Sequence, residues 1–158
     1  MILDDALTRR IEGAVAEERR RFAEGMAACH PDTRADWAPV AGGVAVFTGR
    51  GFFANRAFGL GSSEPVTAAH LEEVEGFYLA RGAAPAVEIP STAERGCIDL
   101  LTARGYRMVR FHNLYAQSLV EGSQGGPHRD DGIEVEPVGD ARATDAWGDV
   151  LLDGFGYK

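Results

Sequence analysis

The sequence contains 158 residues, 45% of them hydrophobic, which is enough for one domain of ordinary size and a fragment of a second. Its formal net charge is −8 and its basic residues are scattered apart from three arginines at 19–21, which excludes nucleic acid as an expected partner. No apolar run approaches the roughly 18 to 20 residues of a membrane span and the chain does not start like a signal peptide, so we expect a cytoplasmic protein without a membrane partner.

The first predicted element is an amphipathic helix over residues 3–28, because apolar residues recur along one stripe with Arg and Glu between them. The stripe contains Leu3, Leu7, Ile11, Val15, Phe22 and Met26. Pro31 and Asp32 end the helix. Fewer than four heptads are present, which favours a helix packed on a sheet over the alternative of a coiled coil.

Two strands and a second helix follow. The apolar runs 44–47 and 52–60 flank a glycine-rich turn and predict neighbouring strands. The second helix is predicted over residues 67–81, with Thr67 as its N-cap and Gly82 as its left-handed C-cap. Its apolar side carries Leu71, Val74, Phe77 and Tyr78.

The next segment is predicted as a strand, a helix and further strands. Residues 86–89 lie between two prolines and predict a short strand, and residues 91–94 have the pattern of a capping box. The helix that follows is expected to end at Gly105. Alternation over residues 107–119 predicts one long strand or two consecutive strands. The residues that this third helix should bury are Ala93, Cys97, Ile98 and Leu101. The order of elements predicts a mixed α/β fold, a sheet flanked by helices.

The C-terminal part is predicted as a linker followed by a strand and a helix. Residues 121–132 are rich in Gly, Pro and charge and predict a linker that is open to proteases. Residues 133–136 alternate as in a strand. A helix is predicted from residue 140 or 144 to residue 152, with Trp147, Val150 and Leu151 on its apolar side.

The stretch 86–119 resembles the second half of a GNAT domain, the fold of the acyl-CoA-dependent N-acetyltransferases. In that family a helix ends in a Leu-Tyr-x-x-x-Gly-Phe-like signature, and residues 100–106 here read Leu-Leu-Thr-Ala-Arg-Gly-Tyr. The strand and helix over 52–81 occupy the place of the family's fourth strand and central helix. The resemblance implies a GNAT-like domain over residues 1–120, with acetyl-CoA or another acyl-CoA as the family's cosubstrate and an amine as acceptor.

The tail extends the resemblance. Residues 133–158 look like the first strand and helix of a second GNAT-like domain, as at the start of many GNAT domains. The alternative is a C-terminal extension that closes the sheet of the first domain. On the former interpretation the chain resembles the degenerate N-terminal domain of a tandem GNAT protein, and its partner is a second GNAT domain or a second copy of the chain.

The residues that the family uses for acyl-CoA are missing. The family holds the pyrophosphate with an Arg or Gln and a glycine-rich turn at the N-terminus of the central helix, where free N–H groups favour an anion. The corresponding turn, residues 61–67, contains Glu64 and Pro65, and no Arg or Lys lies between Arg56 and Arg81. We therefore expect that this domain does not bind the cofactor and assign no cofactor-binding residue.

No catalytic or metal-binding residue is assigned either. Leu101 replaces the family's tyrosine, the general acid that protonates the thiolate of CoA, while Tyr78 and Tyr106 fit apolar stripes. The acidic residues of the second helix, Glu72, Glu73 and Glu75, are expected on a solvated face rather than as a general base. The motifs Gly49-x-Gly51 and Gly59-x-Gly61 are typical of turns. The histidines His30, His70, His112 and His128 lack ligand-like spacing.

The cysteines Cys29 and Cys97 lie far apart in the sequence and show no CxxC or Cys/His pattern, so we expect neither a disulfide scaffold nor a zinc site, and both thiols are expected to be buried and inert. Cys97 with His112 could form a nucleophilic pair only with a third residue that the sequence does not supply.

Two functional hypotheses remain. The first is an enzyme half, a CoA-deficient N-terminal domain within a tandem N-acetyltransferase, and it requires that the natural protein continue past Lys158. The alternative is a non-catalytic GNAT-fold module for binding or dimerisation. A small-molecule amine is compatible with the acidic charge, but charge alone does not choose a substrate.

Overall fold

The computed structural model describes residues 4–115 and 138–155, and the chain divides into two compact units, Met1–Ala116 and Gln117–Lys158. Over these described ranges the fold is mixed α/β, with a three-stranded antiparallel sheet and four helices, which confirms the predicted fold class. The elements in chain order are α1 (Asp5–Cys29), β1 (Asp36–Val40), β2 (Gly43–Phe47), β3 (Arg56–Phe58), α2 (Ala68–Leu79), α3 (Arg95–Ala103) and α4 (Ala141–Phe155). Helix α4 belongs to the second unit.

Helix α1 begins where Asp4 caps it, because the Asp4 carboxylate accepts a hydrogen bond of 2.7 Å from the Leu7 N–H. The helix packs on the sheet as predicted, but its inner face differs from the predicted stripe: Ala23 is fully buried, whereas Phe22 is 38% exposed. The small residues face inward because the chain approaches closely at Gly59. A Cβ placed there would lie 3.3 Å from the Cβ of Ala16.

Strands β1 and β2 form a tight hairpin. Val40 pairs with Gly43, so the connection is the two residues Ala41 and Gly42, both with positive φ. Two positive φ values in a two-residue loop are typical of a type I′ turn, whose twist matches that of the strands. Sequence analysis did not predict β1, because Pro39 interrupts its pattern. The proline is accommodated since β1 is an edge strand.

Strand β3 is shorter than the predicted 52–60. The residues before it form turns, closed by hydrogen bonds from the Phe52 N–H to the Gly49 carbonyl and from the Asn55 N–H to the Phe52 carbonyl. Gly59 follows it with a φ of 67° and ends the extended run. Only residues 56–58 therefore remain available to pair with β2.

Alternation along β2 divides the core between the two faces of the sheet. Val44 and Val46 pack with Ala23 on the α1 side. Ala45 packs on the other side with residues of β3, α2 and α3. The second cluster comprises Val40, Ala41, Ala45, Ala57, Leu60, Leu71, Val74, Tyr78, Cys97 and Leu101. Helix α2 has the predicted buried side, and Gly82 follows it with the expected positive φ.

After α2 the chain returns beside β3 in a parallel direction. The Ala57 N–H donates to the Ala86 carbonyl over 2.9 Å, and the Glu88 N–H donates to the Ala57 carbonyl over 2.8 Å. This pairing is a single bridge between Ala57 and Val87, and the predicted strand over 86–89 is limited to that contact.

The start of α3 corrects the predicted capping box. A turn closed by a hydrogen bond of 3.0 Å from the Ala93 N–H to the Pro90 carbonyl takes up residues 90–93. The helix begins at Arg95, and its N-cap, Glu94, makes no capping hydrogen bond with its side chain. Cys97 and Leu101 are buried as predicted, but Ile98 is 47% exposed because it points away from the sheet-facing side.

The prediction of a strand over 107–119 is wrong for residues 107–115, because these residues are not in a strand. Their side chains are exposed, including Val109 at 92% and Phe111 at 83%, so these residues neither pair with the sheet nor pack on the core. The predictions for 116–119, the linker 121–132 and the strand 133–136 lie outside the described residues. The predicted C-terminal helix is present as α4, with Trp147 56% exposed within its unit.

Candidate functional site

The turn between β3 and α2 is the place where the resemblance would put a cofactor, and the hydrogen bonds of this turn decide what it can bind. The Gly61 N–H donates to the Ala41 carbonyl over 2.9 Å, and the Ser62 N–H donates to the Gly59 carbonyl over 3.2 Å. The Ser62 hydroxyl donates to the Gly42 carbonyl. The Gly61 N–H and the Ser62 hydroxyl hold the turn against the β1–β2 hairpin, and the Ser62 N–H closes the turn itself, so none of the three is directed at a ligand.

The N-terminus of α2 is capped by its own side chains. The Thr67 hydroxyl accepts from the His70 N–H, and the His70 ring accepts from the Thr67 N–H, each over 3.3 Å. This reciprocal pair is a capping box, with His in place of the usual Glu or Gln. Sequence analysis placed the cap at Thr67 correctly but did not anticipate His70, because its ring is not the usual partner.

Beside this turn lies a cleft of about 380 Å³, which we call the α1–α3 cleft. The start of α1, the turn after β3 and the start of α3 form its walls. Its charged lining is one arginine and three carboxylates, namely Arg9, Asp5, Glu12 and Glu94. The cleft is therefore acidic on balance and disfavours an anionic ligand.

Glu12 is the half-buried carboxylate of the α1–α3 cleft. Burial raises the pKa of Glu12 above its usual range, and the negative charge of Glu88 raises it further. Glu88 itself pairs with Arg56 over 3.1 Å. No hydrogen bond to the Glu12 side chain is present among residues 4–115. Sequence analysis missed Glu12, since a glutamate among many on a long amphipathic helix carries no distinguishing pattern.

Cys97 also lines the cleft, and its chemistry is that of an inert thiol. Burial raises its pKa, and the nearby Glu94 adds to the increase, so the reactive thiolate is disfavoured. The histidine considered as its partner, His112, instead places its Nε2 atom 3.4 Å from an Arg56 nitrogen. The prediction that both cysteines are buried is wrong for Cys29, which is exposed at the end of α1.

The glutamates of α2 were predicted to form a solvated face, and one of them does not. Glu75 receives two hydrogen bonds from the Arg104 guanidinium, of 2.9 and 2.7 Å, which tie α2 to the end of α3. Arg104 holds the pKa of Glu75 below its usual range. Glu72 lies 3.5 Å from Arg104, and Glu73 is exposed. Glu75 and Glu72 are therefore structural, whereas Glu73 lies on the predicted solvated face.

Tyr78 and Tyr106, the two tyrosines considered as general acids, differ in how deeply they are buried. Tyr78 is fully buried, and its hydroxyl accepts from the Val46 N–H over 3.0 Å and donates to the Val46 carbonyl over 3.1 Å. Tyr106 is half-buried and packs against the same core. The position that the family gives to its acid is Leu101, a core residue. Both tyrosines thus have the core or rim position that their apolar stripes predict.

Metal and membrane features were also searched in the described part of the chain. No group of three or more His, Cys, Asp or Glu side chains in residues 4–115 or 138–155 is arranged to hold a metal ion. His128 lies outside these ranges. None of the four helices found there combines the length and the apolar character that crossing a membrane requires.

Comparison with known proteins does not assign a family. The chain matches no protein-family model, and no curated protein or solved structure is significantly similar to it.

Proposed function

We propose that residues 4–115 form a GNAT-type domain that does not itself bind acyl-CoA and that contributes to N-acetyl transfer in a larger protein. The order of elements supports this proposal. An antiparallel β1–β2–β3 sheet is followed by α2, by a return parallel to β3 at Val87 and by α3. The same order is expected of the central part of a GNAT domain.

The observation that carries the loss of cofactor binding is the hydrogen bonding of the turn 61–67. The N–H groups of Gly61, Ser62 and His70 already donate within the protein. Pro65 has no N–H, and Glu64 adds a negative charge to the turn. A pyrophosphate at this helix terminus would therefore lose several donors to bonds within the protein and would meet the negative charge of Glu64.

The α1–α3 cleft gives this domain a role that does not need the cofactor. Its volume of about 380 Å³ is at the lower end of the range for small-molecule sites. Its acidic lining suits a cationic amine, the acceptor class that the proposal implies. On this proposal the domain helps to hold the amine, while another domain supplies acyl-CoA.

Titration with acetyl-CoA tests the proposal. We expect no saturable change in the amide NMR signals of Thr67 to Leu71 in the natural chain. Micromolar binding with shifts at those residues would contradict it. A double variant, Glu64→Arg with Pro65→Gly, should gain affinity, since it restores a cation and an N–H. Glu73→Arg, which makes the same charge change on the exposed face of α2, is the matched control.

Acetyl-CoA-dependent thiol release tests the enzymatic role. We expect none from this chain alone and measurable release from the product of the whole gene, and we expect Glu12→Gln to raise the Michaelis constant for the amine in that larger protein. Turnover by this chain alone would show that the domain is a complete enzyme. Absence of turnover from the whole gene product would favour the non-catalytic alternative.

The alternative function, a binding or dimerisation module, is favoured by one specific observation. Residues 107–115 expose several large apolar side chains, among them Phe111 and Tyr115 at 83% and 91%. Contiguous exposed apolar surface commonly marks an interaction site. A module of this kind would need no cofactor.

A further inference from the structure

A second cleft lies at the other end of α2, next to the residues that follow its C-terminus. It measures about 560 Å³, and we call it the arginine cleft. Its charged and aromatic lining is Asp32, Arg34, Phe47, Arg50, Phe52 and Arg81. Helix α2 has 12 residues, so roughly 18 Å of helix separates this cleft from the turn 61–67. The cleft is thus independent of the site discussed above.

The positive charges of the arginine cleft are only partly neutralised. Arg81 pairs with Asp36, donates to the Phe77 carbonyl over 2.7 Å and lies 3.8 Å from the centre of the Phe77 ring, so its position is fixed. Neither Arg34 nor Arg50 has an ion pair or a hydrogen bond from its guanidinium within residues 4–115. Two guanidinium groups are therefore available to an anion.

Asp32 is the single carboxylate among the residues that line this cleft. Asp36 neutralises Arg81, so Arg34 and Arg50 remain against one acidic side chain of the lining, in a chain whose net charge is −8. Such a local reversal of sign attracts small anions out of solution. It also distinguishes the arginine cleft from the α1–α3 cleft, whose lining is acidic.

The loop that presents Arg50 is held in place by Asn55. The Asn55 side chain accepts from the Thr48 N–H over 2.8 Å and donates to the Gly49 carbonyl over 2.6 Å. The guanidinium of Arg50 lies over Gly82, where a Cβ would come within 2.8 Å of it. The backbone that carries Arg50 is thus held in place before any ligand arrives, which reduces the entropy lost on binding.

Arg34 is presented by an unusual backbone conformation. It follows the 3₁₀ turn Pro31–Thr33 and has a φ of 53° and a ψ of 38°, in the left-handed region. Glycine adopts this region readily, whereas a residue with a Cβ is strained there, and such strain is concentrated at functional sites.

We propose that the arginine cleft binds a small organic phosphate, with Arg34 and Arg50 bonding the phosphoryl oxygens and Phe52 contacting the apolar part. A phosphate monoester carries close to two negative charges at neutral pH, which matches two unpaired guanidinium groups. Phe47 is buried and forms a wall, while Phe52 is 44% exposed and can pack on a ring. The volume suits a ligand larger than inorganic phosphate.

Titration of the natural chain with phenyl phosphate at low ionic strength, followed by amide NMR, tests the proposal. Saturable shifts are expected at residues 33–34 and 49–52. Arg34→Ala and Arg50→Ala should each weaken binding by about tenfold, the loss expected for one charge-assisted hydrogen bond. Arg50→Lys should weaken it less. Arg10→Ala removes an exposed arginine of α1 outside the cleft and should leave the affinity unchanged.

Two further ligands separate the parts of the proposal. Inorganic phosphate should bind more weakly than phenyl phosphate, and Phe52→Ala should remove that difference. Phenol should not bind. Absence of saturable shifts with phenyl phosphate, equal binding of phenol, or equal weakening by Arg10→Ala would each overturn the site. Unchanged dispersion of the amide spectrum shows that each variant is folded, so a loss of binding is not a loss of structure.

Discussion

Tyr78 illustrates how one side chain of α2 supports the sheet. Its hydroxyl bonds both the N–H and the carbonyl of Val46, a buried residue of the central strand β2. Removing one partner of a buried hydrogen bond leaves the other unsatisfied, which costs about 1 to 3 kcal/mol. We therefore expect Tyr78→Phe to lower the free energy of unfolding by about 2 kcal/mol in denaturant titrations.

Tyr115→Phe is the matched control, because Tyr115 is 91% exposed. The pH dependence gives a second measurement. Burial raises the pKa of Tyr78 above its ordinary value of about 10, so only the unfolded chain releases this proton as the pH rises past that value. Stability should fall above pH 10 in the natural chain and fall less in Tyr78→Phe. Equal alkaline slopes would contradict this account.

Glu12 should act in the same direction as Tyr78, but at lower pH. Because burial raises its folded pKa above 4.5, the native state holds this proton more tightly, and the associated stability is present at low pH and lost as the pH rises through the folded pKa. Glu12→Gln keeps the shape without the charge. We expect it to be more stable than the natural chain at pH 7, with the difference vanishing below about pH 4.

Chemical denaturation of both proteins at several pH values measures this difference. Glu73→Gln, on the exposed face of α2, controls for the loss of one negative charge from an acidic protein. If Glu73→Gln stabilises the chain as much as Glu12→Gln, the effect arises from net charge and not from the cleft.

At the scale of elements, the N-terminus of α2 can be tested separately from any ligand. Thr67→Ala removes the hydroxyl that accepts from the His70 N–H, and loss of an N-cap typically costs about 1 kcal/mol. The same substitution within α3, Thr102→Ala, removes a hydroxyl that only bonds the Ile98 carbonyl of its own helix. We expect the first variant to lose about 1 kcal/mol in thermal or chemical unfolding and the second to lose none.

Equal losses in the two variants would show that the capping box does not stabilise α2. If Thr67→Ala also allowed the chain to bind acetyl-CoA, the His70 N–H that the substitution releases would be the donor that the cofactor needs. That result would support the proposal that internal hydrogen bonds of the turn prevent cofactor binding.

The elements that the sequence predicts well are those whose signals are local. Helix α2 was predictable because Thr67 and Gly82 mark its ends and its apolar side has helical spacing. The capping pattern at 91–94 failed because Pro90 closes a turn that uses the same residues. Strand β1 was not predicted, because Pro39 interrupts the pattern of a strand. Its existence depends on pairing with β2, which is a tertiary contact.

The candidate sites were harder to predict than the elements. The proposal that the turn 61–67 does not bind phosphate could be made from Glu64 and Pro65, since these residues remove a donor and add a negative charge. The arginine cleft could not be inferred, because Arg34, Arg50 and Arg81 belong to three separate segments that only the fold brings together. The same holds for the Glu75 and Arg104 pair, 29 positions apart.

At the scale of the whole molecule, the apolar side chains of residues 107–115 form an exposed surface that is available to a partner. Met108, Val109 and Phe111 are 74%, 92% and 83% exposed. The segment carries Arg107 and Arg110 but no carboxylate, whereas the whole chain has a net charge of −8. Charge complementarity therefore favours a second copy of the chain as the partner.

We expect the protein to self-associate with increasing concentration in light-scattering measurements, and more weakly at high salt, because the proposed contact is partly electrostatic. Replacing Val109 and Phe111 together by Ser should shift the population to monomer, since it removes two large apolar side chains from the contact. Phe53→Ser, at a residue 68% exposed outside this segment, should leave the association unchanged. A protein that remains monomeric at all concentrations would exclude this contact, and dimers that persist in the Val109 and Phe111 double variant would place the contact elsewhere on the molecule.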